Sequence, residues 1–251
     1  MANPIEDVKG RVLIGQLSIL LYSVFAAILG KTATTFILVF ILIIIISIIQ
    51  NRSGPNPVGQ AKTKPEVVLS GRKVFEEEKA RELQMKDTGL MADMQEQSKF
   101  TMYTSLGMLL AFVYFFALWG YVDDLERLLA PYLGQDRLTV FTAFLIYFEG
   151  LFIINQLVYI WALRKVGKVV MVQAPPKYTV TDKGIVLKGF TGGTAITFPL
   201  PEDVEVNVNE KRRFVELVKH YKKTVMKIRL YTTNPRRLAE VIKRYGLKRT
   251  S

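Results

Sequence analysis

Four runs of this chain are each apolar enough, and long enough at about 20 helical residues, to cross the roughly 30 Å hydrocarbon core of a bilayer. They cover about residues 12–30, 33–49, 100–122 and 138–163. Half of all residues are hydrophobic, but that apolar content is clumped, and the rest of the chain reads as soluble. Only Lys31 and Thr32 lie between the first two runs, so residues 1–50 are expected to form a tight transmembrane hairpin. No small-residue cleavage site follows the first run, so it reads as a retained span rather than a signal peptide.

The third run ends in Tyr114, Phe115, Phe116, Trp119 and Tyr121, and the fourth in Tyr159 and Trp161 before Arg164 and Lys165. Such aromatic belts mark the headgroup level, and after the fourth run a basic anchor follows. Lys9 and Arg11 precede the first run, nine Lys and Arg lie between Arg52 and Lys99, and Arg164, Lys165 and Lys168 follow the fourth. The opposite side carries Lys31, Arg127 and Arg137, with an acidic loop of Asp123, Asp124, Glu126 and Asp136. The positive-inside rule then predicts a multi-pass protein of the cell membrane with both termini cytoplasmic.

The cytoplasmic loop over residues 51–99 divides in two. Gly54, Pro55, Pro57, Gly59 and Pro65 predict an extended linker over Asn51–Pro65. Val68–Met85, rich in Glu, Lys, Arg, Leu and Ala, predicts a charged helix, broken at Asp87, Thr88 and Gly89. Leu90, Met91, Met94 and Met102 then lead into the third span, and such methionines ordinarily pack gaps.

After Pro175 the pattern changes to short strands. Tyr178–Thr181 and Ile185–Lys188 flank the turn Asp182-Lys183-Gly184, and Thr194–Leu200, Val204–Val208, Arg213–Lys219 and Val225–Thr232 follow. Asn234 as cap, Pro235 in the first turn and the stripe Leu238, Val241, Ile242 and Tyr245 predict a closing helix before Gly246. The expected fold is therefore a four-helix transmembrane bundle over residues 1–50 and 100–165. To it is joined a small cytoplasmic antiparallel β barrel or sandwich, residues 175–251, capped by a C-terminal helix. That order, with the opening Tyr178-Thr179-Val180-Thr181-Asp182-Lys183-Gly184-Ile185, resembles the pleckstrin-homology-like domains attached to prokaryotic membrane spans. Four spans with such a tail also resemble an archaeal membrane-protein family, a resemblance that implies architecture rather than activity.

The chain has a formal net charge of +12, and Lys177–Ser251 alone holds 17 Lys and Arg against 7 Asp and Glu. The clusters are Lys211, Arg212 and Arg213; Lys222, Lys223 and Lys227; Arg236 and Arg237; and Lys243, Arg244, Lys248 and Arg249. A tail of this charge beside a membrane points to anionic headgroups as partner, at about 1 kcal/mol per basic residue near the surface.

Inside the spans the one deep ionisable residue is Glu149, with Asn155 and Gln156 further along the fourth run and Gln16, Ser18 and Ser23 on the first. A carboxylate there costs several kcal/mol unless paired, hydrated or protonated, which makes it a candidate for proton or cation handling or, equally, interhelical glue. The absence of cysteine and a single histidine, His220, exclude disulfides and Cys or His-clustered metal centres. With no phosphate loop, nucleophile elbow or paired carboxylates either, the sequence points to a protein that is not an enzyme and needs no cofactor. The expected role is a membrane-anchored scaffold or adaptor whose basic domain binds the anionic lipid surface, a protein partner or another copy of itself. The alternatives are an accessory resembling Oxa-superfamily insertases, which implies ribosome contact, and a small transporter using Glu149.

Overall fold

The computed structural model describes residues 8–30, 37–38, 41, 45, 56–61, 63–134, 136–189, 192–222 and 224–247. Among them three helices are long and apolar enough to cross a membrane: α1 (Val8–Leu29), α4 (Thr88–Leu118) and α6 (Arg137–Val166). Of the second expected span, only Ile37, Leu38, Ile41 and Ile45 are described, each helical and exposed, and the remainder lies outside the described residues. The described residues divide into a helical unit, lying within 7–52 and 100–166, and a β unit, lying within 53–99 and 167–251.

In the helical unit α1 lies close against α6 because small residues meet large ones. Ala26 and Ala143 are buried beside Tyr22, Phe144 and Phe148, and a side chain at Gly15 would run into the Phe152 ring. Helix α4 meets α6 through bulkier groups. Tyr114 donates its hydroxyl to the Tyr147 carbonyl at 2.9 Å, and Tyr147 donates to the Phe115 carbonyl at 2.7 Å. Phe115 and Trp119 pack into this interhelical cluster, with Trp119 lying 5.7 Å from Phe144.

The acidic loop expected after the third span is a helix, α5 (Tyr121–Leu133), and α4 ends at Leu118 rather than near residue 122. Val122, Leu125 and Leu129 recur at helical spacing and pack α5 against the aromatic cluster. Asp136 caps the following α6 by accepting from the Leu138 amide at 3.0 Å.

The β unit holds two four-stranded sheets. One runs β1 (Lys73–Glu77), β3 (Lys177–Thr181), β4 (Gly184–Gly189), β5 (Gly192–Thr197), and the other runs β2 (Val169–Gln173), β8 (Thr224–Tyr231), β7 (Phe214–His220), β6 (Val204–Asn209). Helix α7 (Pro235–Gly246) closes the chain, its Asn234 cap accepting from the Arg237 amide. Tyr178, Ile185 and Ile196 from the first sheet share one core with Leu217, Ile228 and Leu230 from the second and with Leu238 and Ile242 of α7.

Three features depart from expectation. The unit is not purely antiparallel, since β2, which was not anticipated, pairs in parallel with β8. It is not confined to residues 175–251, since β1, β2 and the segment 56–60 are built into it. The charged helix expected over Val68–Met85 is instead α2 (Pro65–Leu69), β1 and α3 (Ala80–Lys86). The open edge of β3 supplies ladder partners that outweigh the helix preference of the Glu-rich run, and Phe75 stacks on Tyr178 with centroids 6.4 Å apart. At the far edge Gln60 replaces a strand, accepting from the Thr197 amide at 3.0 Å and donating to its carbonyl at 2.8 Å. Covered edges of this kind suppress edge-to-edge association.

Candidate functional site

The β6–β7 turn distributes the three basic residues expected to act together. Arg213 adopts a left-handed φ of 58°, and the Arg212 amide donates to the Asn209 side chain at 3.1 Å. Lys211 and Arg213 are exposed, whereas Arg212 is half-buried in a charge cluster. Its Nε lies 2.9 and 3.0 Å from the two Asp87 oxygens, and a terminal nitrogen lies 2.7 Å from Asp93. Asp93 also accepts from Arg229 at 2.6 Å, and Arg229 Nε donates to Glu216 at 2.7 Å. Both guanidiniums lie over the Phe214 ring, 5.3 and 4.9 Å from its centroid.

This cluster was hidden from sequence reading, which took Asp87 as a helix breaker and overlooked Asp93, Glu216 and Arg229. Its one signal is the presence of Glu216 between Val215 and Leu217 and of Arg229 between Ile228 and Leu230, each a charge flanked on both sides by apolar residues. The register places Glu216 directly opposite Arg229. Three carboxylates around two guanidiniums satisfy one another, and the Tyr231 hydroxyl donates to Asp87 at 2.5 Å. Burial pushes the Asp87 carboxyl upward, but the hydrogen bonds from Arg212 and Tyr231 and the Arg212 charge outweigh it and hold the group below the ordinary carboxylate range. The arrangement clamps the start of α4 to the second sheet. Gln97, three turns along α4, accepts from the Val172 amide of β2 at 3.1 Å.

The remaining basic candidates lie elsewhere. Lys222 is exposed at the β7–β8 turn, and Lys223 lies outside the described residues. On α7 the positions Arg236, Arg237, Glu240, Lys243 and Arg244 are all exposed and share one face, while Leu238, Ala239 and Ile242 are buried on the other. Arg236 pairs with Glu210 at 2.6 Å, whereas Arg237 and Lys243 make no ion pair among the described residues. Arg244 lies 5.8 Å from the Tyr245 ring, whose hydroxyl accepts from Arg72 at 3.1 Å, so a basic residue of the loop joins the same end of α7.

Within the helical unit Gln16 donates to Glu149 at 3.2 Å, joining α1 to α6. Asn155 donates to the Leu151 carbonyl on its own helix at 3.0 Å, and Gln156 is half-buried one residue on. The structure therefore brings Gln16 and Glu149 together and leaves Asn155 occupied locally.

With this geometry in view, comparison with known proteins finds one family. The family model described as "Predicted membrane protein (DUF2208)" matches residues 10–245, and the chain belongs to that family. No curated protein and no solved structure matches.

Proposed function

We propose that this family member is a non-enzymatic, membrane-anchored module whose β unit engages the anionic surface of the cell membrane through the outer face of α7. The observation that carries the reading is the exposed row Arg236, Arg237, Lys243 and Arg244, with Arg72 beside it, opposed by Glu240 on the same face and by Glu210, which pairs with Arg236. Four basic residues against two acids near an anionic leaflet contribute about 2 kcal/mol at about 1 kcal/mol per net charge, enough to orient a tethered domain. Only Gly167 and Lys168 separate α6 from β2 in the chain. The lysines and arginines around the spans support a cytoplasmic location for that unit. Two three-stranded antiparallel meanders followed by a C-terminal helix support the pleckstrin-homology-like reading, and the archaeal resemblance stands beside it as a proposal.

The same geometry weakens the other readings. The cytosolic helix on which the insertase reading rested folds as α2, β1 and α3 inside the β unit. The Gln16 bond to Glu149 supports an interhelical tie over a transport carboxylate. The test uses the absence of cysteine. A fluorophore on Glu240→Cys in the full chain is reconstituted into neutral or phosphatidylglycerol-containing vesicles that carry headgroup nitroxides. Quenching that appears only in the anionic vesicles, and fades in 1 M salt where the screening length falls to about 3 Å, is the expected result. Equal quenching in both, or its persistence after Arg237, Lys243 and Arg244 are changed to glutamate, would refute the proposal.

A further inference from the structure

The helix that replaces the expected acidic loop has three faces rather than two. Val122, Leu125 and Leu129 are turned into the aromatic cluster, with Val122 fully buried. Asp123, Asp124 and Arg127 form an exposed polar face, where Arg127 pairs with Asp124 at 3.2 Å. The third face carries Tyr121, Leu128 and Tyr132, which stand at i, i+7 and i+11 and are 59%, 66% and 83% exposed. An apolar stripe this open is unexpected on a surface that meets water.

The connections at either end place α5. Trp119 and Gly120 alone separate it from α4, and Gly134 to Asp136 separate it from α6, so each link spans no more than about 14 Å. The second corner is held by Gly134, which has a φ of 87° and donates its amide to the Ala130 carbonyl, while the Thr139 hydroxyl donates to the Gly134 carbonyl at 2.5 Å. Both flanking helices carry exposed apolar residues close to these corners: Phe112, Val113 and Phe116 on α4, and Leu138 on α6. Helix α5 itself, at 13 residues, is about 20 Å long, too short to cross and charged on one face. An element tied to the same end of two spans, apolar toward one side and charged toward another, fits only the boundary between headgroups and acyl chains.

A groove of about 510 Å³ continues the stripe inward, lined by Tyr114, Leu118, Tyr121, Leu125, Leu128 and Tyr147, with Asp124 at its rim. The Tyr114 and Tyr147 hydroxyls are both spent on backbone carbonyls, so those walls present ring carbons rather than polar atoms. We infer that α5 is an interfacial helix, its Tyr121, Leu128 and Tyr132 stripe embedded among lipid acyl chains, one of which enters the groove beside Tyr114 and Tyr147. The tyrosines sit where aromatic rings with a polar tip are favoured, and the acidic face remains in water. The reading rests on α5 and its neighbours alone and is independent of the role proposed for α7.

Single-cysteine variants Leu128→Cys, Tyr132→Cys and Arg127→Cys of the full chain, held in lipid nanodiscs, test it. All three side chains are exposed, so packing is retained in each. The expected result is that a water-soluble maleimide labels the Leu128 and Tyr132 variants at least tenfold more slowly than the Arg127 variant, and that nitroxides high on the acyl chains quench fluorophores at those two positions. Labelling within twofold of the Arg127 variant would overturn the inference. So would slow labelling without lipid quenching and with crosslinking between two Leu128→Cys chains, which would assign the stripe to a second copy.

Discussion

Replacing Glu216 by glutamine isolates the charge cluster that ties the first turns of α4, around Asp93, to the second sheet. Arg229 is 4% exposed on its side chain and is held by Glu216 at 2.7 Å and Asp93 at 2.6 Å. Removing one partner of a buried pair costs about 3–5 kcal/mol, because the remaining charge has lost water without compensation. Arg229 keeps Asp93 and the Phe214 ring, so the cost belongs at the low end, about 3 kcal/mol. At 1.4 kcal/mol per factor of ten, that raises the opening equilibrium of β7 and β8 about 150-fold. Hydrogen exchange of the β7 and β8 amides reads this directly, whereas Trp fluorescence does not, since Trp119 and Trp161 both lie in the helical unit. Glu216→Leu combined with Arg229→Met is expected to restore most of the protection, because exchanging a buried ion pair for apolar groups of similar volume is close to neutral. If Glu216→Gln raised exchange less than about fivefold, which corresponds to about 1 kcal/mol, the cluster would not be a clamp and the reasoning would fail.

Other expectations follow from the same geometry. The folded-state carboxyl of Asp87 titrates below its ordinary value, so its contribution is present above the unfolded value of about 3.9 and is lost as pH falls through the lower folded one. The stability gap between the native chain and Asp87→Asn, followed by circular dichroism, should be constant above about pH 5 and shrink below about pH 4; a gap unchanged to pH 3 would contradict this. Gly15→Val pushes a side chain into the Phe152 ring and should cost about 1–3 kcal/mol in detergent melting, with Phe152→Ala relieving part of the loss. Glu149→Gln keeps a hydrogen-bonding partner for Gln16 and should change helical-unit stability by less than about 1 kcal/mol, whereas Glu149→Leu leaves Gln16 without it. Arg213→Val sets a β-branched residue at a φ of 58° and should destabilise the β6–β7 turn by about 1–2 kcal/mol, visible as faster exchange there alone.

Much of the candidate surface on α7 was legible beforehand. Asn234, Pro235 and the stripe of Leu238, Val241, Ile242 and Tyr245 announce the helix, and the basic residues off that stripe are Arg236, Arg237, Lys243 and Arg244. Arg212 was not legible as a clamp. Nothing in Lys211-Arg212-Arg213 distinguishes the middle residue until the left-handed backbone at Arg213 shapes the turn around it and Asp87 and Asp93 approach from more than a hundred positions away in the chain. Gln16 and Glu149 were each visible as polar residues in apolar runs, but only helix packing decides that they meet.

The apolar runs, the hairpin around Asp182-Lys183-Gly184 and the capped C-terminal helix are determined by the sequence itself, because each rests on periodicity or on residues a few positions apart. Tertiary structure alone decided the rest. Lys73–Glu77 is a strand because β3 offers an open edge, Val169–Gln173 joins β8 in parallel, and Tyr121–Leu133 is a helix because α6 provides a face for Val122 and Leu129 to pack against. In each case the local preference is weaker than the hydrogen bonds and burial available from a distant segment, and that distance is the information a linear reading lacks.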